Sequence, residues 1–418
     1  MYVCHNRRSQ IRPERHVGRL VVMHHYDVGR LLIMDRKRFP REFKRQLKLS
    51  FGCKVKVSAD ISNCFPSIYT HSISWAIVGH DTAKATSSDK TKWYNELDYH
   101  QRSLKRNETL GVPVGPATSN VIAEVVLAKV DAALEQKGYN FIRFIDDYQC
   151  YATSRDEAEE FVRDLEVELD RYLLKLNAKK LKYSTLPVPE SSSWISQLRL
   201  AIGDGPISAS RMVDVLDFAT ELQNQNPDAS VLKYAATSLV KRVSPTNSTS
   251  FVRYLLQLAF HKPSVLPSIA ESLSKFEVKC KRKWLRSLIK EHLRFSRTDA
   301  VCWAMFVAFL CGVPVGPKLR SKIAESGDCM SMAMLLALGE DVSEVDIFLK
   351  GLNLGDEYSL DQYWLLIHER SASGKELEKH FRTYLGATGL TFLRKKKVHF
   401  VHPVKLSDFK RRAAIEPK

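Results

Sequence analysis

Two adjacent carboxylates, Asp146 and Asp147, stand where an apolar run ends. The run 141–145 leads into them, and an alternating run, 148–152, follows. This order predicts a strand, a tight turn and a second strand, with both aspartates at the turn. Holding two anions beside apolar residues costs several kcal/mol unless a cation lies between them or one carboxyl stays protonated. The pattern therefore favours a divalent metal ion.

A third carboxylate closes another β-prone run. Asp60 ends the run 55–60, and a helix-like segment, 70–77, follows soon after. If two antiparallel strands each deliver an aspartate, their oxygens can hold a pair of hard cations. Phosphoryl-transfer sites use that arrangement to stabilise the attacking and the leaving oxygen. Each aspartate alone has a plainer interpretation as a solvated turn residue, because aspartate is common in turns.

Four short motifs appear in order along the chain. They are Asp60-Ile-Ser-Asn-Cys-Phe65, Gly111-Val-Pro-Val-Gly-Pro116, Phe144-Ile-Asp-Asp147 and Leu174-Lys-Leu-Asn-Ala-Lys-Lys180. With this motif series, residues 1–200 of the chain resemble reverse transcriptases. The first motif and the residues after it look most similar to the prokaryotic abortive-infection (Abi) and defence-associated reverse transcriptases (DRT). The resemblance implies an α+β fold in which residues 1–200 form the fingers and the palm.

The resemblance assigns roles to the acidic residues. Asp60, Asp146 and Asp147 would be catalytic and would hold two Mg²⁺ ions, with Mn²⁺ as a substitute. The main-chain carbonyl of Ile61 would add a further oxygen ligand. The implied substrates are deoxynucleoside triphosphates, whose phosphates the metal ions would bind.

A lysine cluster, 179–182, follows the last motif. By resemblance, Lys180 is the catalytic lysine that protonates or neutralises the departing pyrophosphate. Lys179 and Lys182 are rivals for this role. A solvated cluster without a catalytic role is the alternative interpretation.

The same resemblance implies a nucleotide-binding pocket. Phe65 takes the position of an aromatic ring that leaves no room for a ribose 2′-hydroxyl, although an ordinary core position is the alternative. The backbone of the glycine-rich motif would line the pocket at Gly111, Pro113, Val114 and Gly115. Val114 stands where the family usually has glutamine, and this departure favours unusual priming or templating.

Positive charge is concentrated ahead of the first motif. Residues 1–58 hold fifteen Lys/Arg and four Asp/Glu. By resemblance this is the fingers region, and we assign Arg12 and Arg19 to binding of the triphosphate, with a solvated basic surface as the alternative. The region is short for the family. Either the fingers are minimal or another subunit supplies part of their role.

The whole chain has 418 residues and a formal net charge of +17. This length suits two or three domains, and the charge favours polyanionic partners, here RNA, DNA and nucleotides. The eight cysteines contain no CxxC pair, which indicates free thiols rather than disulfides or a zinc site. The longest apolar run, 300–311, is too short to cross a bilayer, so the sequence predicts a cytoplasmic protein without a membrane segment.

A Pro- and Ser-rich stretch, 187–193, separates the palm from the rest of the chain. Residues 205–392 have helical periodicity, which predicts an α-helical repeat domain similar to HEAT solenoids. Abi-type enzymes are similar in carrying such a domain in place of the usual thumb. The glycine-rich hexapeptide recurs at 312–317, where its different surroundings indicate a turn between helices. A basic tail, 393–418, completes the sequence.

These features predict an antiphage-defence reverse transcriptase that extends DNA by two-metal nucleotidyl transfer. The resemblance also implies a homo- or hetero-oligomer, with a non-coding RNA or a second polymerase subunit as partner. One alternative is untemplated, protein-primed synthesis from one of four tyrosines: Tyr254, Tyr358, Tyr363 or Tyr384. Another is a non-catalytic palm that binds nucleic acid as the scaffold of a polymerase complex.

Overall fold

The computed structural model describes residues 19–21, 33–35, 39–189, 192–276 and 278–405. The chain forms two compact units, Met1–Glu190 and Ser191–Lys418. The predicted boundary at 200–205 between the α+β and helical parts stays a prediction. A helix over Ser193–Ile202 already places Leu198 and Ile202 in the core of the second unit.

The described residues of the first unit form six strands: β1 (Arg19–Val21), β2 (Ile33–Asp35), β3 (Val55–Asp60), β4 (Phe141–Phe144), β5 (Asp147–Ala152) and β6 (Lys182–Thr185). β1 and β2 form an antiparallel pair, and the other four form an antiparallel sheet in the order β4-β5-β3-β6. The strand, turn and strand predicted over 141–152 are confirmed. The antiparallel pairing of the two aspartate-bearing strands is confirmed as well.

In the same described part of the unit, seven helices accompany these strands: α1 (Phe39–Ser50), α2 (Cys64–Ser67), α3 (His71–Val78), α4 (His80–Ala85), α5 (Trp93–Ser103), α6 (Ala117–Gln136) and α7 (Arg155–Asp170). α6 and α7 pack on each other, and α7 also packs on β3 and β5. α6 is long and largely apolar, whereas α7 has an amphipathic pattern. Ser154 caps the start of α7, and its hydroxyl accepts a hydrogen bond from the amide of Glu157.

One face of the larger sheet is covered by these helices. Val57 and Ala59 of β3 and Tyr148 of β5 are buried there with Phe161 and Leu165 of α7. Because side chains alternate along a strand, the residues next to them project from the opposite face. The core therefore fixes which way the strand-end aspartates point.

Ser119 and Asn120 stand before the apolar run 121–130, a pattern that predicts a helix over this run with one of the two as its cap. This prediction of the cap is wrong, because α6 begins at Ala117, directly after Pro116. Pro116 has φ −59°, which its ring imposes and which suits the start of a helix. Ser119 lies inside the first turn, and its buried hydroxyl has no hydrogen-bond partner among the residues described here.

The second unit is built from fifteen α-helices over its described residues: α8 (Ser193–Ile202), α9 (Ala209–Gln225), α10 (Val231–Val240), α11 (Ser248–His261), α12 (Leu266–Lys275), α13 (Arg282–Arg294), α14 (Thr298–Leu310), α15 (Pro317–Glu325), α16 (Cys329–Ala337), α17 (Ser343–Lys350), α18 (Glu357–Gln362), α19 (Trp364–Ser373), α20 (Lys375–His380), α21 (Arg382–Ala387) and α22 (Leu390–Lys395). Consecutive helices such as α9 and α10, or α13 and α14, pack on each other. Their apolar faces share one hydrophobic core. The chain is thus an α+β unit followed by a helical unit.

The second copy of the glycine-rich hexapeptide connects α14 to α15. Arg286 donates hydrogen bonds from Nε and Nη2 to the carbonyl of Pro314, at 3.2 and 3.0 Å. A carboxylate oxygen of Glu340 accepts from the amide of Val315 at 2.8 Å. The predicted turn between helices is confirmed at 312–317.

The predicted basic tail, 393–418, is described as far as residue 405. Glu369, buried in α19, accepts hydrogen bonds from the amides of Phe400 and Val401 at 2.6 and 3.2 Å. This carboxylate attaches the segment after α22 to the helical unit. Residues 406–418 lie outside the described residues.

The described residues agree with the predictions made from the cysteines and from the apolar runs. The seven cysteines within the described ranges are free thiols. In the same ranges, no helix is both long and apolar enough to traverse a bilayer.

Candidate active site

The end of the β3–β5 ladder brings the predicted carboxylates together. Asp60 and Asp147 lie opposite each other in the antiparallel register. Asp146 occupies the two-residue turn that joins β4 to β5, and its carbonyl accepts a hydrogen bond from the amide of Ile61 at 3.3 Å. Carboxylate oxygens of the three aspartates all lie within 4.8 Å of one another.

The surroundings raise the pKa values of two of these carboxyls. Partial burial raises the pKa of Asp146, and the charge of Asp60 raises it further. Partial burial, a hydrogen bond with Asp60 and the charge of Asp146 raise the pKa of Asp147 to about 6. The protein alone therefore does not compensate three adjacent anions.

The residues present fit a hard divalent cation. Three carboxylates supply oxygen ligands, which hard cations such as Mg²⁺ prefer, and the raised pKa values of Asp146 and Asp147 indicate that further positive charge is favoured here. Asn177 holds Asp60 with two hydrogen bonds. Its main-chain amide donates to the Asp60 carbonyl at 2.8 Å, and its side-chain Nδ2 donates to Oδ2 of Asp60 at 3.3 Å. The amide of Ile61 is bonded to Asp146, and the metal-ligand role of its carbonyl stays a prediction.

Of the three lysines considered for catalysis, the structure places Lys180 against a carboxylate. Its Nζ lies 3.0 Å from Oδ2 of Asp60, and this hydrogen bond raises the lysine pKa. The side chain is 63% exposed, so its ammonium group can also reach a ligand in solvent. Lys179 and Lys182 line the same cleft, which has a volume of about 770 Å³. That volume is typical of a small-molecule site.

The glycine-rich motif is joined to the segment that follows Asp60. The amide of Val112 donates to the carbonyl of Phe65 at 2.9 Å, and the amide of Gly111 donates to the carbonyl of Ile68 at 2.7 Å. Gly111 has φ +87°, and a Cβ there would lie 2.7 Å from the carbonyl oxygen of Pro66. Only glycine fits this close approach.

The predicted pocket residues differ in exposure. Phe65 is half-buried in α2 and packs partly against the core of the first unit. Pro113 is half-buried, whereas Val114 is 71% exposed and Gly115 is exposed with φ +113°. Contact of these residues with a nucleotide stays a prediction.

Two predicted phosphate-binding residues cannot be placed against the site. Arg12 lies outside the described residues. Arg19 begins β1, and its side chain also lies outside what the structure describes. Their roles stay predictions.

A fully buried arginine beneath the aspartate turn was missed by sequence reasoning. Arg143 in β4 has no exposed surface. It donates to Asp131 from Nε at 3.0 Å, to Glu124 from Nη1 at 2.9 Å and to the carbonyl of Ile145 from Nη1 at 2.6 Å. The hydroxyl of Tyr148 donates to Asp131 at 2.9 Å. Burial alone would lower the pKa of Arg143, but the two acidic partners more than reverse that effect, and the pKa is raised.

The arginine holds a strained backbone in place. Ile145 has φ +59°, a left-handed conformation that costs a β-branched residue roughly 1–3 kcal/mol. The bond from Arg143 to the Ile145 carbonyl stabilises this conformation, which turns the chain so that Asp146 and Asp147 follow at the strand end. The signal was available: Glu124 and Asp131, seven residues apart on one side of an apolar helix, need a buried cation.

Comparisons with known proteins agree with this geometry. Residues 19–234 match the family model described as reverse transcriptase (RNA-dependent DNA polymerase). No curated protein matches the chain.

Among solved structures, the chain is similar to apo telomerase from Candida tropicalis, with 11% identity and a TM-score of 0.30 over 74% of this chain and 56% of that one. It is also similar to telomerase from Candida albicans in complex with the TWJ fragment of telomeric RNA, with 12% identity and a TM-score of 0.26 over 75% and 52%. The chain thus spans about half the length of these telomerase chains. At such TM-scores the likeness supplies no correspondence between residues.

Replacing Arg143 with methionine is expected to destabilise the first unit by about 3–5 kcal/mol, because Glu124 and Asp131 would remain as buried anions without a cation. Denaturant unfolding of the purified protein measures this. Arg163→Met, which removes an exposed arginine of α7, is the matched control and should change the unfolding free energy by about 0.5 kcal/mol or less. Equal effects of the two substitutions would contradict the proposed role of the buried network.

Metal binding is expected to weaken as the pH falls through about 6, because protons compete with the metal for Asp147. The raised pKa means that Asp147 binds its proton more tightly in the metal-free folded protein than in the unfolded chain. Ionisation of Asp147 therefore lowers the free energy of unfolding as the pH rises toward about 6. Mg²⁺ should therefore raise the unfolding temperature more above this pH than below it. A variant with both Asp146 and Asp147 replaced by alanine should lose the Mg²⁺ effect, and its persistence there would place the metal elsewhere.

Proposed function

This chain belongs to the reverse transcriptase (RNA-dependent DNA polymerase) family, and we propose from that membership that it is a polymerase that adds deoxynucleotides to a DNA 3′ end. One observation carries the proposal: three carboxylates converge within 4.8 Å at the ends of two paired strands. A palm kept only as a scaffold has no need of such a cluster, because uncompensated anions destabilise the fold.

Mg²⁺ is the proposed cofactor, with Mn²⁺ as a substitute. Asp60, Asp146 and Asp147 would hold it, with the carbonyl of Ile61 as a further ligand. When bound, divalent cations lower the pKa of an attacking hydroxyl and neutralise the charge of a triphosphate. The protein's own contribution is rigidity: the register of β3 and β5 and the Arg143 network hold the ligands in place before a substrate arrives.

Other residues of the site would act on the nucleotide itself. Lys180 extends into the cleft beside Asp60, and its ammonium group would neutralise or protonate the departing pyrophosphate. Phe65 would exclude a ribose 2′-hydroxyl by occupying its volume. The amide of Val112, next to Gly111, donates a hydrogen bond to the carbonyl of Phe65. The glycine-rich loop would therefore hold Phe65 in position, and the two would form one rigid wall beside the sugar.

We further propose that the protein belongs to the Abi/DRT group and acts in antiphage defence in the cytoplasm. The helical second unit and the exposed Val114 at the usual glutamine position support this assignment. In this proposal the helical unit is a HEAT-like domain that replaces the thumb. A non-coding RNA or a second polymerase subunit would assist in a homo- or hetero-oligomer.

Protein-primed synthesis remains a second proposal, and the structure separates the four tyrosines considered for it. The hydroxyls of Tyr254, Tyr363 and Tyr384 donate to Asp217, to the carbonyl of Gly327 and to Asp361, respectively. Tyr358 is 71% exposed, and this proposal favours it as the acceptor because of that accessibility. Labelled product that a protease releases after denaturation would support priming by the protein, and product that is free from the start would oppose it.

Incorporation of labelled deoxynucleotides by the purified protein with Mg²⁺ tests the main proposal. Replacing both Asp146 and Asp147 with alanine should lower the rate by about a thousandfold or more, since metal-ligand charge stabilises the transition state by several kcal/mol. Asp156→Asn, at an exposed site in the first turn of α7, should leave the rate unchanged. A double variant that polymerises as fast as wild type would refute the polymerase assignment.

Phe65→Ala is expected to admit ribonucleotides, because the smaller side chain leaves room for the 2′-hydroxyl. The ratio of ribonucleotide to deoxynucleotide incorporation should rise by about tenfold or more. Phe51→Ala, at a residue that is 91% exposed, is the control and should not alter this ratio. An unchanged ratio in Phe65→Ala, with deoxynucleotide incorporation intact, would assign Phe65 to the core alone.

A further inference from the structure

The segment 279–297 of the helical unit carries a concentration of positive charge that the proposed polymerase site does not use. It contains eight Lys/Arg and one acidic residue. Most of it belongs to α13, whose residues Leu285, Leu288 and Ile289 are buried in the helical core. The orientation of the helix is therefore fixed by packing, and its charged side is held toward solvent.

We call the exposed cations of α13 and of the residues that flank it the basic face, and define it by six of them: Lys281, Arg282, Lys283, Lys290, Arg294 and Arg297. Lys283, Lys290 and Arg294 follow one another at helical spacings of seven and four residues, so they form a stripe about 16 Å long along α13. Such a stripe presents a row of donors rather than a single point charge.

The cations of the basic face are unneutralised within the described ranges: none of the six lies within ion-pair distance of a carboxylate there. Elsewhere in the same unit the pattern is different: Arg320 lies 3.0–3.7 Å from three carboxylates, and Arg370 is 2.7 Å from Asp346. Like charges at i and i+4 destabilise a helix by a few tenths of a kcal/mol, so the basic face is not explained by the stability of α13.

Exposed aromatic rings are interspersed with these cations. Trp284 is 42% exposed, with Nζ of Lys281 5.4 Å from its ring centre. Phe295 is 51% exposed, and the guanidinium groups of Arg294 and Arg297 lie 5.4 and 4.9 Å from its ring centre. Cations bind phosphates, and exposed rings stack on bases, so the two together fit a strand whose bases are unpaired. A duplex keeps its bases stacked inside, and an acidic peptide gives such rings no base to stack on.

We propose that the basic face binds single-stranded nucleic acid, with its lysines and arginines on the phosphates and with Trp284 and Phe295 stacked on bases. This site lies wholly within the helical unit. It does not depend on the polymerase reaction, because binding needs neither the carboxylates nor a nucleotide.

Fluorescence anisotropy with labelled oligo(dT) tests the proposal on the full chain. To separate it from polymerase function, both Asp146 and Asp147 are replaced by alanine and nucleotides are left out. Replacing Lys283, Lys290 and Arg294 with glutamine should weaken binding by roughly tenfold to a hundredfold at low salt. It should also reduce the slope of log K against log salt by about 2, since each phosphate contact on a single strand contributes about 0.7.

The aromatic part of the proposal has its own readout. Trp284→Ala and Phe295→Ala should each weaken oligo(dT) binding by about fivefold or more while leaving the salt slope unchanged, because stacking involves no counterion release. Duplex DNA should bind more weakly than oligo(dT) and should not respond to these two substitutions. Equal responses with duplex would overturn the assignment to single strands.

A charge-matched control removes three exposed cations from α20 and α21 by Lys375→Gln, Lys379→Gln and Arg382→Gln. The control should keep nearly wild-type affinity, and all variants should keep the wild-type unfolding temperature. Equal losses in the control and in the basic-face variant would reduce the effect to net charge and overturn the proposal. Competition by polyglutamate as effective as that by oligo(dT) at equal charge would also overturn it, in favour of an acidic protein partner.

Discussion

The structure of the first unit depends on how it tolerates three carboxylates at one end of a sheet. Asp60 and Asp147 face each other across β3 and β5, and Asp146 adjoins them in the turn. Partial burial, with repulsion among them, raises the pKa values of Asp146 and Asp147, and within the described residues the cation that reaches the group from the protein is Lys180, which touches Asp60. The fold keeps this arrangement because the buried faces of the same strands leave the aspartates no other direction.

In a second charge system, on the core side of the turn, the donors of one buried guanidinium all have acceptors. Arg143 is surrounded by Glu124, Asp131 and the carbonyl of Ile145, and it has no contact with solvent. The turn therefore has a satisfied ion network on its core side and an under-compensated anion cluster on its outer side. This contrast is what a metal-binding site needs, because the ligands are rigid while their charge remains available.

Much of the palm could be predicted from the sequence, and the reasons for the misses are local. The hairpin over 141–152 and the pairing with β3 followed from apolar runs that end in aspartate. Arg143 was missed because a single charged residue in an apolar run gives no periodic signal, although its acidic partners lie in α6, the helix directly before β4. The cap of α6 was missed because Pro116 and Ala117 begin the helix without a side-chain cap. In the helical unit, periodicity predicted helices. The helices after residue 350 are short and closely spaced, and they carry no repeat that the sequence alone could reveal.

The central claim is that Asp60, Asp146 and Asp147 together hold divalent cations beside a nucleotide. Anomalous diffraction from crystals grown with Mn²⁺ and a non-hydrolysable deoxynucleoside triphosphate tests it most directly. The account predicts Mn²⁺ peaks between these three carboxylates, with the triphosphate in the cleft that Lys180 lines. Mn²⁺ bound elsewhere, or a nucleotide bound away from this cleft while the carboxylates hold no ion, would contradict it.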